Sequence, residues 1–400
     1  MLKFGGVIFV AFFFVACSDT ATDSPGDAGG TIVVLTTQDP GTLFPPISTT
    51  STARQISEQI YDYLADVGPD LDTRNERGYR AELARSWDWS TDSLQLSFHV
   101  DPRARWHDGQ PATARDVAFT FALNRNPQLA SRYASSLENI DSVTVSDSLT
   151  AKFWFHQRRP SEFLDAAAQL PILPAHQLKD VPVATLRASP PPPVGTGRFR
   201  FRKWTKGESV EIVADTANYR GRAKVDRVIW SIVPEFTGAL ARLWRGDADV
   251  LDGLRPSDLA ELSRHRALRV LVRPGMDYVF MRFNLRDPAD TSKPHPLFKD
   301  RELRRAITMA TDRRALARNL LDTFATVPVG PTVRAYPTTD PALFQLPFDS
   351  LRAAHLLDSL GWVRGTDGLR AKNGKQLAFT ILIPTVNPNR IRAGVVLQDQ

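Results

Sequence analysis

The chain has a single cysteine among its 400 residues, Cys17. No internal disulfide can form, so whatever the chain folds into must be held by packing alone. The position of that cysteine constrains the rest. Lys3 precedes an almost wholly apolar run, Val7 to Ala16, that ends on the thiol. A bilayer-spanning helix takes roughly 20 apolar residues, so this run is too short to span and reads as the hydrophobic region of a signal peptide. A small residue followed by cysteine is the arrangement that a lipoprotein signal peptidase requires, with the thiol as the lipid attachment point. Phe14 stands where leucine is usual, and an ordinary secretory signal with a chance cysteine is the competing reading. The expectation is an exported, lipid-anchored protein: residues 1–17 a lipoprotein signal peptide, and Cys17 the anchor to a membrane of the cell envelope, facing the periplasmic space.

Residues 18–30 ("SDTATDSPGDAGG") are small, polar and glycine-containing, as in a flexible tether. The remaining length suits two or three domains, and 42% hydrophobic content is ordinary for a globular protein. The net charge of +6 raises a nucleic-acid reading, but the basic residues are dispersed among acidic ones, as on solvated helix faces. The densest stretch, Arg198 to Lys206 ("RFRFRKWTK"), alternates Arg with Phe199 and Phe201. Alternation of that kind marks a half-buried strand, and no nucleic-acid partner is expected.

Periodicity and turn chemistry predict a first strand over Thr31–Thr37, then a loop with Leu43 and Phe44 stranded on it, then a helix from about Thr52 to Leu64. Ser93–Val100 alternates as a strand, and Thr113 with Asp116 forms a capping box that opens a helix to about Arg125. "SVTV" and "LTAKFWF" flank a hairpin turn at Ser146–Ser148. Pro190 to Pro193 then lead extended chain into "VGTGRF". Strands follow on either side of Lys206-Gly207 and over "VDRVIWSIV", with a helix from Phe236 to Arg245 stopped by Gly246. "DYVFMRFNL" is predicted to be a strand. Asp300, Asp312 and Asp349 are predicted N-caps, and Gly361 a helix stop.

The residues give no catalytic constellation. There is no G-x-S-x-G, H-E-x-x-H or P-loop. The seven histidines (99, 107, 156, 176, 265, 295 and 355) show no ligand-pair spacing. His107 reads as a turn residue. No catalytic residue, metal site or cofactor is expected.

Six segments, in order, carry a resemblance. They are "AELARSWDWSTDSLQLSFHVDPRARWHDGQPATARDVAFTF", "VGTGRFRFRKW", "NYRGRAKVDRVIWSIVPE" with "LWRGDADVL", "FNLRDP", "LFKDRELRRAITMATDR" and "AAHLLDSLGW". Together, and over essentially all of Thr31 to Gln400, they resemble the family 5 extracellular solute-binding proteins, the peptide- and nickel-binding lipoproteins of ABC importers. The resemblance implies an α/β fold of two lobes, of the type II periplasmic-binding-protein architecture, hinged around a cleft. Lobe I would take 31–60 and 190–275, with 61–189 as an inserted subdomain, and lobe II would take 276–400. It further implies that the C-terminal part is missing, so that lobe II is incomplete and the acidic residue that pairs a peptide's amine lies beyond Gln400.

The implied function is capture of dipeptides or oligopeptides by hinge closure and delivery to ABC permease subunits, by a monomer and without catalysis. A non-peptide solute (oligosaccharide, opine or metal chelate) is the alternative. Cleft geometry makes Leu43 and Phe44, Thr196 and Gly197, and Phe280, Arg282 and Asn284 the candidate ligand-binding residues. Arg282 would pair a ligand carboxylate. Trp204 and Trp230, in the right part of the chain to stack on a sugar, read first as core residues.

Overall fold

In the computed structural model of the protein, residues 29–400 are described, apart from 263, 274, 276–277, 331–332 and 384–387. Cys17, the expected signal peptide and the tether before Gly29 lie outside the described residues.

Two sheets organise residues 29–251, beside a small two-stranded pair of Ala65–Val67 and Tyr79–Ala81. The first has five strands in the order Val250–Leu251, Thr31–Thr36, Arg227–Ile232, Ser209–Ala214 and Phe199–Thr205. Thr31–Thr36 runs parallel to both of its neighbours, and the remaining pairs are antiparallel. Phe199–Thr205 is an edge strand. Its Phe199 is buried while Arg200 and Arg202 face solvent, paired with Asp215 at 3.7 Å and Glu211 at 3.3 Å. Charges along an open edge discourage pairing with another chain. Gly207, at φ +74°, makes the turn into the next strand.

The second sheet is a fully antiparallel set of four: Ala84–Trp89, Gln95–Val100, Thr150–Phe155 and Ile140–Val145. Leu96, Phe98, Val100 and Phe153 are fully buried on its inner side. Phe98 meets Phe153 edge-on at 5.3 Å, and Phe121 from the helix Ala114–Arg125 meets Phe153 at 4.6 Å. That helix opens as its sequence predicts, with an Asp116 carboxylate oxygen accepting the Thr113 amide at 2.8 Å. The other Asp116 oxygen accepts the Ala175 amide at 2.8 Å, tying the start of the short helix Ala175–Leu178 to the same cap.

The helix Ser51–Ile60 stops four residues short of the expected Leu64. Ile60 packs with Ile56, Val210, Ile212 and Trp230 against the five-stranded sheet, whereas Leu64 packs with Phe98 and Phe153 in the four-stranded sheet's core. Residues four apart share one face of a helix, so a helix continued to Leu64 could not serve both cores.

Further along, Asp300 and Asp312 cap the helices Arg301–Ala310 and Arg313–Leu321, and Asp349 caps Ser350–Ser359. Gly361, at φ +83°, follows the last of these. One predicted element is corrected. "DYVFMRFNL" forms no strand among its described residues, and Val279 and Phe280 are 70% and 61% exposed. A strand exists through the ladder it makes with a neighbour, and no strand pairs with this segment among the described residues. Alternation in sequence supplies a face to bury, not the partner that closes the ladder.

Candidate functional site

The two sheets are joined where residues 194–198 cross between them. Gly195 and Gly197 lie against the C-terminal end of the helix Ser51–Ile60. A Cβ at Gly195 would stand 1.8 Å from the Ile60 carbonyl oxygen, and one at Gly197 2.4 Å from that of Gln59. Only glycine admits such an approach of two backbones. The Gly197 amide uses it to donate to the Ile60 carbonyl at 2.8 Å, satisfying a carbonyl in the helix's last turn.

His107 grips the other side of the crossing. Its Nδ1 accepts the Gly195 amide at 3.1 Å and its Nε2 lies 2.9 Å from the Gly197 carbonyl oxygen. Those partners require a neutral ring with the proton on Nε2. Burial lowers the His107 pKa below its ordinary 6.5 and so favours that form. Asn218 completes the cradle, its amide nitrogen donating to the Thr196 and Gly197 carbonyls at 2.8 and 2.9 Å.

Behind the crossing lies an ion cluster. Asp62 is 1% exposed, and its carboxylate accepts from Arg220 Nη2 and, at 2.7 Å, from the Tyr219 hydroxyl. Arg220 Nη1 donates to Glu82 at 2.6 Å, and the second Glu82 oxygen accepts the Tyr63 amide at 3.0 Å. One guanidinium therefore faces two carboxyls. Burial pushes Glu82 up to about 7, the neighbouring Asp62 charge adding to the rise and Arg220 opposing it. Burial also raises Asp62, against the pull of Arg220 and Tyr219. These residues escaped the motif reading, but a signal existed. Asp62 interrupts the otherwise apolar run "IYDYLA", and a buried acid needs a cationic or donor partner.

Of the candidate ligand residues, Leu43 and Phe44 are buried, 4% and 5% exposed, in the same core as Ile60 and Trp230. Thr196 is fully buried, and Gly197 has both backbone polar groups engaged. Thr196 and Gly197 sit at the C-terminal end of the helix Ser51–Ile60, whereas Leu43 and Phe44 pack in the core with Ile56 and Ile60. Phe280, Arg282 and Asn284 are exposed on the unpaired segment, with the Arg282 guanidinium 5.8 Å from the centre of the Phe280 ring. Phe283 between them anchors the segment on Phe298 at 5.2 Å. The strand face expected to align these three is absent, so alternation no longer sets their directions. Trp230 is a core residue at 4% exposure, and Trp204 is half-buried beside the same core. Two open hollows of about 410 and 420 Å³ lie elsewhere, lined around Trp154 and around Tyr79, and neither is lined by a candidate residue. No group of three metal-ligating side chains occurs among the described residues.

The profile of the bacterial extracellular solute-binding proteins, family 5 Middle, matches residues 78–400. The oligopeptide-binding protein AppA of Bacillus subtilis is 26% identical over 410 residues, covering 98% of this chain and 72% of its own length. Its structure in complex with a nonapeptide superposes with a TM-score of 0.76 over 94% of this chain and 72% of AppA. NikZ of Campylobacter jejuni, in complex with Ni(L-His), gives the same TM-score of 0.76 at 26% identity, covering 92% of this chain and 71% of its own. A Brucella ovis protein named for peptide binding in ABC transport is 30% identical over 284 residues, which is 70% of this chain and 52% of that relative. The chain thus spans about half the length of that relative.

Proposed function

The chain belongs to the family 5 bacterial extracellular solute-binding proteins, and from that membership we propose that it captures short peptides and delivers them to the permease of an ABC importer. Its fold is the mixed α/β, two-lobed type II kind that AppA and NikZ share, and a member of this family is a binding component of transport, not an enzyme. The observation that carries the peptide reading is the likeness to AppA, in sequence over nearly the whole chain and in structure.

In this reading residues 31–60 and 190–275 form one lobe, 61–189 its inserted subdomain, and residues from 276 onward the other lobe. Ligand touching both lobes favours the closed state by its differential affinity. Arg282, exposed, takes the ligand's carboxylate, and Phe280 and Asn284 flank it. Leu43, Phe44, Thr196 and Gly197 shape the opposite wall, chiefly by holding the backbone in place. Cys17 carries the lipid that keeps the monomeric receptor at the membrane. No helix among the described residues is long and apolar enough to cross one.

A second reading is favoured by the equal likeness to NikZ: a metal chelate of an amino acid in the same cleft. Native mass spectrometry of the full-length protein, purified without denaturation, separates the two. A ladder of short-peptide masses released on unfolding is the expected result. A single metal–chelate mass transfers the assignment to the second reading, and a protein that arrives empty and ignores a peptide library rejects the first.

A further inference from the structure

We propose that the Asp62–Arg220–Glu82 cluster, together with His107, forms a proton-operated latch that holds the Gly195–Gly197 crossing against the end of the helix Ser51–Ile60. The latch rests on the geometry around the crossing and needs no particular ligand, so it stands or falls separately from the peptide reading.

Each member comes from a different stretch of chain. Asp62 and the Tyr63 amide follow the helix, and Glu82 precedes the strand Ala84–Trp89. His107 lies in the turn after the strand Gln95–Val100, and Asn218, Tyr219 and Arg220 precede the strand Arg227–Ile232. Glu82 faces Arg220, Asp62, Asp66 and the Tyr63 amide. Asp62 faces Arg220, Tyr219, Thr196 and His107. His107 faces the two glycines, with Asp215, Asp62 and Arg200 around it. The five segments meet through polar contacts whose protonation states depend on one another.

Two proton steps act in opposite directions. With both carboxyls ionised the cluster buries one uncompensated negative charge, and with one proton held it is neutral. The Glu82 pKa is raised from 4.5 to about 7, so the native chain holds a proton that the unfolded chain has lost. Its stabilising effect is present below the unfolded value and is lost as pH rises through about 7. The His107 pKa is lowered from 6.5. Its effect is complete above 6.5 and is lost as pH falls below it. Protonation there turns Nδ1 into a donor facing the Gly195 amide, another donor, and the grip on the crossing opens. Between the two unfolded values, 4.5 and 6.5, the two effects oppose one another; above 6.5 only the Glu82 loss remains, and the latch loosens as pH rises through about 7.

The test is amide hydrogen exchange of the full-length chain against pH, with protection factors corrected for intrinsic exchange and read on peptides containing Tyr63 and Gly195–Gly197. Protection should fall as pH rises above 6.5 through about 7, by at most about tenfold per pH unit for a single proton. Glu82→Gln should remove that fall and leave protection rising with pH up to 6.5, the His107 effect alone, whereas His107→Asn should leave protection falling from 4.5 to about 7, the Glu82 effect alone. No fall in protection through pH 7 in the parent, or the same fall surviving in Glu82→Gln, overturns the latch. Should that variant fail to fold, infrared difference spectroscopy of the unmodified protein decides. A buried carboxylic-acid band that titrates near neutrality upholds the proposal, and its absence rejects it.

Discussion

A methyl group added at Gly197 would meet the Gln59 carbonyl oxygen at 2.4 Å, and one at Gly195 that of Ile60 at 1.8 Å. In both cases the obstacle is backbone at a helix end, which cannot rotate aside as a side chain can. Gly197→Ala is therefore expected to cost about 1–3 kcal/mol or more, read as a lower urea midpoint with an unchanged slope. A variant as stable as the parent would show that the crossing does not approach the helix this closely. At Arg282 the expectation concerns binding. Charge-assisted hydrogen bonds contribute about 1.5–3 kcal/mol, so Arg282→Ala should weaken peptide affinity roughly ten- to a hundredfold in titration calorimetry. A C-terminally amidated peptide should bind parent and variant alike. Equal losses for both peptides would remove the carboxylate from Arg282's role.

Among the elements, the helix Ala114–Arg125 shows a cap with two duties. The Asp116 carboxylate accepts the Thr113 amide at the helix start and the Ala175 amide at the start of the short helix Ala175–Leu178. An ordinary cap contributes about 0.5–2 kcal/mol. Asp116→Ala should exceed the loss at Asp300→Ala, because Asp300 serves only the first turn of its own helix. Thermal melts of the two variants under one condition decide the order. Caps of this kind were legible because the capping side chain and the amides it serves lie two or three residues apart. The segment Tyr278–Leu285 failed for the opposite reason. Its alternation was read correctly from the sequence, but a strand needs a neighbour, and the neighbour is not encoded in the segment.

At the scale of the whole molecule, a ligand that binds only the folded state adds stability by mass action, about 2.7 kcal/mol at a hundred times Kd. For a chain of this length the gain should appear as a melting-temperature rise of a few degrees at most, with a binding peptide but not with the same peptide scrambled into free amino acids. No shift with any peptide would count against peptide capture. The sequence by itself determined most strands of both sheets, though not Ala84–Trp89, the positions of most caps and turns, and the family, because each rests on patterns a few residues long or on short motifs in a fixed order. Tertiary structure alone decided that Ile60 and Leu64 part company into separate cores, that Leu43 and Phe44 are buried, and that Asp62, Glu82, His107 and Arg220 converge on one crossing. Those outcomes depend on which distant segments come into contact. Arg220 lies 158 positions from Asp62 and 138 from Glu82, and no local pattern records that a buried charge has found its partner so far along the chain.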